Sequence, residues 1–276
     1  MTWWCGAVRL DGVRGFVFDV DGTLVHRDGE HVHVIDGALA VLERINASGR
    51  PFAIFTNGSH LPPEGFARGL RDAGLPIEDG QMLTPLRSAL HYLGRRHPGA
   101  LVRVFGPPVV EDYMAAAGVR VATAEQTREA DVVFVAHRHE VSLDELEAAA
   151  RAVMAGAALL TASYVAAYAG HNGPIISRGS MVAAAISKAS STPPIVVGKP
   201  SKAAVAVIAE RLELPTAEIA VIGDDLGMDI GLGHLGNSRT ILVQSGISGQ
   251  IDLTKIPERR RPHATIATIS ELLPLL

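Results

Sequence analysis

Short apolar runs without polar alternation, set apart by segments of helical periodicity, constrain this chain more than any other feature. Residues 15–20, 51–55, 195–197, 219–222 and 240–243 are runs of this kind. A strand that is apolar on both faces must be covered on both, and helices flanking a parallel sheet provide that cover. Between the runs, residues 38–48, 64–73, 202–212 and 230–235 carry apolar side chains at helical spacing. The pattern predicts an α/β fold with a doubly wound parallel sheet.

Four of the expected strands end in polar clusters: Asp19-Val20-Asp21-Gly22-Thr23, Thr56-Asn57-Gly58-Ser59, Gly198-Lys199-Pro200 and Gly223-Asp224-Asp225. In an open parallel sheet the carboxyl ends of the strands line one crevice, so these clusters are expected to meet there. The stretch between Thr56 and Lys199 is too long for a single crossover and carries its own signals. Strands are expected at 101–105, 132–136, 159–162 and 175–177, and helices at 108–117, 143–154 and 180–187. These signals imply an inserted α/β domain over residues 85–194, with residues 1–84 and 195–276 forming the core.

The chemistry of the clusters is that of an anion and a divalent cation held together. A turn at Gly22 can aim Asp19 and Asp21 into the crevice and leave a backbone N–H for an anion. With Asp224, Asp225 and Asp229, five carboxylates would crowd one place and repel one another unless a cation lay among them. Oxygen ligands of this sort suit Mg²⁺. Lys199 adds a fixed positive charge, and Thr56 with the amides of Asn57 and Gly58 offers donors to phosphate oxygens. Such a set describes phosphoryl transfer, in which a carboxylate can serve as the nucleophile.

These residues resemble the four motifs of the haloacid dehalogenase superfamily: Asp19-Val20-Asp21-Gly22-Thr23-Leu24, Thr56, Lys199 within Gly-Lys-Pro, and Gly223-Asp224 with Asp229 five positions on. Phe55-Thr56-Asn57-Gly58-Ser59, Val197-Gly198-Lys199-Pro200-Ser201 and Leu242-Val243-Gln244-Ser245-Gly246-Ile247-Ser248 are similar to its NagD-type branch, subfamily IIA, whose α/β cap lies between the second and third motifs. The resemblance implies a phosphatase that acts through an aspartyl-phosphate, with Asp19 as nucleophile and Asp21 as general acid and base. It implies Mg²⁺ held by Asp19, the backbone carbonyl of Asp21 and Asp224, with Asp229 supporting the metal waters or Lys199 and Asp225 nearby. Thr56 and Lys199 would hold the transferred group, and His137 and Arg138, after a cap strand, would contact the leaving group.

The expected substrate is a small phosphorylated metabolite. A phosphotransferase or mutase, or a catalytically silent phosphate-binding protein, is the alternative. The departures from the branch are Thr-Asn-Gly at 56–58, where relatives commonly have Thr-Asn-Asn, and Thr161-Ala162-Ser163-Tyr164, where they often have Thr-Asn-Pro-Asp.

Other readings are weaker. A net charge of −4 gives no bulk attraction to nucleic acid or anionic membrane. The single cysteine, Cys5, beside Trp3 and Trp4, fits a reducing cytoplasm, and the start of the chain lacks the pattern of a signal peptide. Residues 152–170 carry no charge, but alanine dominates them, Gly156 and Gly170 interrupt them and Thr161 and Ser163 add polarity, so a buried helix followed by a buried strand is expected rather than a membrane span. Gly231-Leu232-Gly233-His234-Leu235-Gly236 matches a dinucleotide fingerprint yet precedes a strand, so close helix packing is expected. His31 with His33, and His137 with His139, lack further ligands at zinc spacing. The sequence leaves the oligomeric state open, a homodimer included.

Overall fold

The computed structural model describes residues 9–28, 31–168, 175–248 and 251–276, arranged as two compact units. Cys5, Trp3 and Trp4 lie outside the described residues. The first unit comprises residues 1–56, 64–83 and 199–276, the second residues 57–63 and 84–198. Residues 57–63, 84 and 195–198, expected in the core, fall in the second unit.

The first unit is built on a six-stranded parallel sheet in the order Ala264–Ile266, Arg239–Val243, Ile219–Gly223, Gly15–Phe18, Phe52–Phe55, Met82–Leu83. Every residue of Gly15–Phe18 is buried, as a central strand requires. Strand alternation sorts its side chains: Phe16 and Phe18 join Phe52, Ile54 and Ile222 on one face. Val17 joins Ala53, Phe55 and Val221 on the other. The helix Ala38–Ala47 covers the first face through Val41, Leu42 and Ile45. The helix Lys202–Leu212 covers the second through Ala204, Val207 and Ile208. Each large apolar side chain so buried contributes roughly 1.5–3 kcal/mol, and the two-sided cover is the doubly wound arrangement that the apolar runs imply.

The strand order reverses between Gly15–Phe18 and Ile219–Gly223, and the crevice of an open α/β sheet opens at such a switch point. Phe18 pairs with Ile222, so Asp19 and Asp224 leave neighbouring strand ends. The Gly231–Leu235 helix packs as expected of its glycines: a Cβ at Gly233 would collide with Thr240.

The second unit has a five-stranded parallel sheet ordered Ile195–Val196, Ala158–Thr161, Val132–Val135, Leu101–Phe105, Arg120–Val121. Ile195–Val196 was expected in the core sheet and is instead an edge strand here, because two half-exposed residues carry no pattern that selects a sheet. Ile175–Ile176 pairs antiparallel with Ala167–Tyr168 in a separate ribbon. The uncharged 152–168 stretch is the end of the Leu143–Met154 helix, the Ala158–Thr161 strand and one strand of that ribbon. Among the described residues no helix is long and apolar enough to cross a membrane.

Candidate active site

Asp19 is placed by the central strand, its N–H donating to the Ile222 carbonyl at 2.9 Å. Asp224 follows the adjacent strand. Asp229 comes from the π-helical turn Leu226–Ile230, which Asp225 caps by accepting from the N–H groups of Gly227 at 2.6 Å and Met228 at 2.9 Å. Asp225 is thereby a structural cap, and its own N–H donates to Asp229 Oδ2 at 3.1 Å. A Cβ at Gly223 would strike the Asp229 carboxyl group, so that glycine is what lets the turn fold back over the strand end.

Lys199 joins these pieces. Its ammonium donates to Asp19 Oδ1 at 2.5 Å, to Asp229 Oδ1 at 2.7 Å and to the Phe55 carbonyl at 2.7 Å. Burial alone would push the lysine toward neutrality, but Asp19 and Asp229 outweigh it and hold the ammonium above its ordinary range. Asp19, Asp224 and Asp229 offer carboxylate oxygens within 4.8 Å of one another, and among the described residues no other set of three acidic, histidine or cysteine side chains converges this way. Burial raises all three. Asp19 is pushed up to about 6 against the pull of Lys199, Asp224 to about 7 with repulsion from Asp229 added, and Asp229 to about 7 despite Lys199.

The tail loop completes the cradle of Asp224. Ile247 N–H donates to Asp224 Oδ2 at 2.7 Å, and Ser248 N–H to the Asp224 carbonyl at 3.2 Å. The Ser245 hydroxyl donates to the Gly22 carbonyl at 2.7 Å. A Cβ on either Gly22 or Gly246 would run into the Asp224 carboxyl group. Ser245, Ile247 and Ser248 are visible in the sequence only as part of a family resemblance, because two of their contacts are backbone N–H donors that no side chain advertises.

Three expectations change. The Gly22 N–H, expected to face an anion, donates to the Val25 carbonyl at 2.8 Å, and Gly22 adopts φ +79 to close that turn. The Asp21 carboxylate does not join the cluster: it pairs with Arg27 Nε at 2.6 Å and stays 55% exposed. The cause is the hairpin of Val25–Asp28 with His31–Val34, which brings Arg27 back beside the turn. Arg138, expected as a substrate contact, turns into the second unit and pairs with Glu145 at 3.3 Å and Glu111 at 3.6 Å. Thr56 ends the Phe52–Phe55 strand, buried, with its N–H donating to Leu83 O at 3.3 Å. Asn57 and Gly58 lie in the second unit, as does His137.

Comparison with known proteins agrees with this geometry. Residues 16–120 match the family model of haloacid dehalogenase-like hydrolases, and residues 196–272 match a second, HAD-hydrolase-like model. The acid sugar phosphatase of Staphylococcus aureus is 26% identical over 235 residues, 85% of this chain and 88% of that protein. The NagD structure from E. coli K-12 superposes with a TM-score of 0.82 at 25% identity, covering 94% of this chain and 98% of that one. A 4-nitrophenylphosphatase from Thermotoga maritima shares the fold, with a TM-score of 0.86 at 24% identity over 97% of this chain and 99% of that one.

Proposed function

The chain belongs to the haloacid dehalogenase-like hydrolases, and from that premise we propose that it is a Mg²⁺-dependent phosphomonoesterase acting on small phosphorylated molecules, with Asp19 as its nucleophile. The observation that carries this reading is the buried ammonium of Lys199 shared between Asp19 and Asp229 beside the carboxylate of Asp224. Its relatives named as an acid sugar phosphatase and NagD support the reaction class.

The donor set fits a hard divalent cation. Three carboxylates face one ammonium, and burial first, with their mutual repulsion added, raises all three; oxygen donors crowded in this way suit a divalent cation. Asp19 and Asp224 would hold the metal, with the Asp21 carbonyl as a further oxygen and Asp229 anchoring Lys199. When bound, Mg²⁺ neutralises charge on the phosphoryl oxygens and lets an anionic ester approach an anionic nucleophile.

The chain's own residues do the rest. Lys199 fixes the Asp19 carboxylate through one oxygen, leaving the other to attack phosphorus; the P–O bond to the leaving group breaks as the acyl phosphate forms. The Thr56 hydroxyl and the Lys199 ammonium hold the transferred group. Asp21, swinging from Arg27, protonates the leaving oxygen and then takes a proton from the water that cleaves the acyl phosphate, restoring Asp19.

The test is release of inorganic phosphate from 4-nitrophenyl phosphate by the purified chain with Mg²⁺, abolished by EDTA and restored by excess Mg²⁺. Activity indifferent to EDTA would sink the metal-dependent reading. Absence of phosphate release from any phosphomonoester would leave the phosphotransferase or mutase and the silent phosphate-binding alternatives.

A further inference from the structure

The hairpin that carries Arg27 to Asp21 has a second face. In the register of Val25–Asp28 with His31–Val34, Val25 stands opposite Val34, His26 opposite His33, Arg27 opposite Val32 and Asp28 opposite His31. Side chains alternate along a strand, and directly opposite residues project to the same side. One side of this hairpin is apolar: Val25 is fully buried, and Val32 and Val34 pack against the core of the first unit. A slip of one residue would carry those valines into water, so core packing locks the register. The same lock turns His26, His31 and His33 to the other side together, and all three are exposed.

A face that only had to be wetted does not call for histidine. With 11 histidines in 276 residues, three such positions would hold on average fewer than one. None of the three rings forms a hydrogen bond or ion pair with another described residue. His33 is the middle member, across the strands from His26 and two positions along from His31. Its ring centroid lies 6.4 Å from that of His31, the planes tilted by 47°. Two imidazoles held tetrahedrally by one ion at about 2.1 Å have centroids about 5 Å apart. Among the described residues only the acidic cluster has its ligand atoms already gathered, so the histidines must rotate to meet. Exposed rings without hydrogen bonds can change rotamer at little cost.

We infer that His26, His31 and His33 form a site for a divalent transition-metal ion of the Zn²⁺, Ni²⁺ or Cu²⁺ class, which draws the three rings together across the hairpin. Imidazole nitrogens suit such ions, whereas Mg²⁺ prefers the oxygens of Asp19, Asp224 and Asp229, so the two sites sort cations by ligand chemistry. In the sequence His31 and His33 form a pair without a third ligand at zinc spacing; the third arrives from the opposite strand, through the register alone. The site stands on the hairpin and not on the reaction assigned to the acidic cluster.

The experiment titrates Zn²⁺ into the full chain in excess Mg²⁺, which competes for the carboxylates, and follows the histidine ring resonances together with the heat of binding. The rings of His26, His31 and His33 are expected to shift together and saturate at one ion. His33→Gln, which removes the neighbour of both other rings, should weaken this binding most, by at least the roughly 10-fold to 100-fold that loss of a ligand's outer partner costs. His26→Gln and His31→Gln should each weaken it by a smaller factor. Asp224→Asn, which alters the acidic cluster, should leave the ring shifts in place.

The three histidines are exposed, so these variants test binding and not folding. Absence of saturable ring shifts in the wild-type chain overturns the inference without recourse to any variant. So does an affinity that His33→Gln leaves unchanged, or one that His26→Gln leaves unchanged, since the ion then does not bridge the two strands.

Discussion

Nζ of Lys199 lies 2.5 Å from Oδ1 of Asp19 across 180 positions of sequence, and the same ammonium reaches Asp229 at 2.7 Å. An ion pair this deep returns little net stability over an apolar replacement, but breaking it from one side is costly because the partners stay buried. The contact therefore ties the construction of the site to the stability of the unit that carries it.

Lys199→Met is the direct test. At pH 8 in EDTA it should destabilise the protein by about 3–5 kcal/mol, since the buried carboxylates lose the ammonium that offsets their charge. At pH 5, where protons replace the lysine, the cost should shrink. Urea denaturation at the two pH values measures both, and equal losses would show that packing, not charge, makes the difference.

Magnesium binding should depend on pH with a definite sign. Metal-free Asp19 sits near 6 and Asp224 and Asp229 near 7, all raised above the ordinary 3.8. The folded state thus holds protons that the unfolded state has released, and metal-free stability should fall as pH rises from about 4 to 7. Mg²⁺ must displace those protons, so its affinity should climb over that window's upper part and level off above about pH 8. Calorimetry at pH 6 in buffers of different ionisation enthalpy should detect proton release that disappears by pH 8.5. A Kd for Mg²⁺ that does not change between pH 5.5 and 7.5 would remove these carboxylates from the metal site.

Asp19→Asn should fold normally and show no detectable turnover, because an amide cannot form the acyl phosphate. Retention of more than a few per cent of wild-type activity would exclude Asp19 as the nucleophile.

Elements and site residues are legible in the sequence where burial or charge leaves a pattern. Gly15–Phe18 and Ile219–Gly223 are buried on both faces and announce themselves as apolar runs. Met82–Leu83 and Ala264–Ile266 are strands of two and three residues at the sheet edges, too short for any period to register. Asp19, Asp224, Asp229 and Lys199 stand out because carboxylates and a lysine at strand ends have no packing reason to be there. The Ile247 amide that holds Asp224 does not, since every residue but proline has one. Nor does Arg27 beside Asp21: it arrives through the hairpin of Val25–Asp28 with His31–Val34, which none of the expected strands includes.

Gly246→Ala probes that hidden support. The added Cβ would enter the space of the Asp224 carboxyl group, which must then rotate away from the Ile247 amide. Mg²⁺ affinity should drop by about 10-fold to 100-fold, the usual cost of losing a residue that orients a metal ligand. Thermal stability without metal should change far less. An unaltered Kd, measured by titration of the folded variant, would mean that the loop adapts and the glycine serves only the turn.

The Asp21 and Arg27 pair separates chemistry from architecture. In the proposed cycle the Asp21 carboxyl gives a proton to the leaving oxygen and recovers one from water, work worth roughly 100-fold to 10,000-fold. Asp21→Asn should lose it unevenly. An alkyl phosphate, whose leaving alkoxide is very basic, should scarcely phosphorylate Asp19. With 4-nitrophenyl phosphate the phenolate leaves unaided, so about one equivalent should appear in a burst while phosphorylated Asp19 accumulates, detectable by mass spectrometry after an acid quench. Arg27→Gln supplies the control: it removes the 2.6 Å partner of Asp21 but keeps the carboxyl. That variant should disturb the hairpin contact as much as Asp21→Asn does, yet show no burst and retain turnover of the alkyl ester. If both variants slow the two esters alike without a burst, Asp21 shapes the turn and the acid–base role passes to another group, with Asp19 as nucleophile untouched.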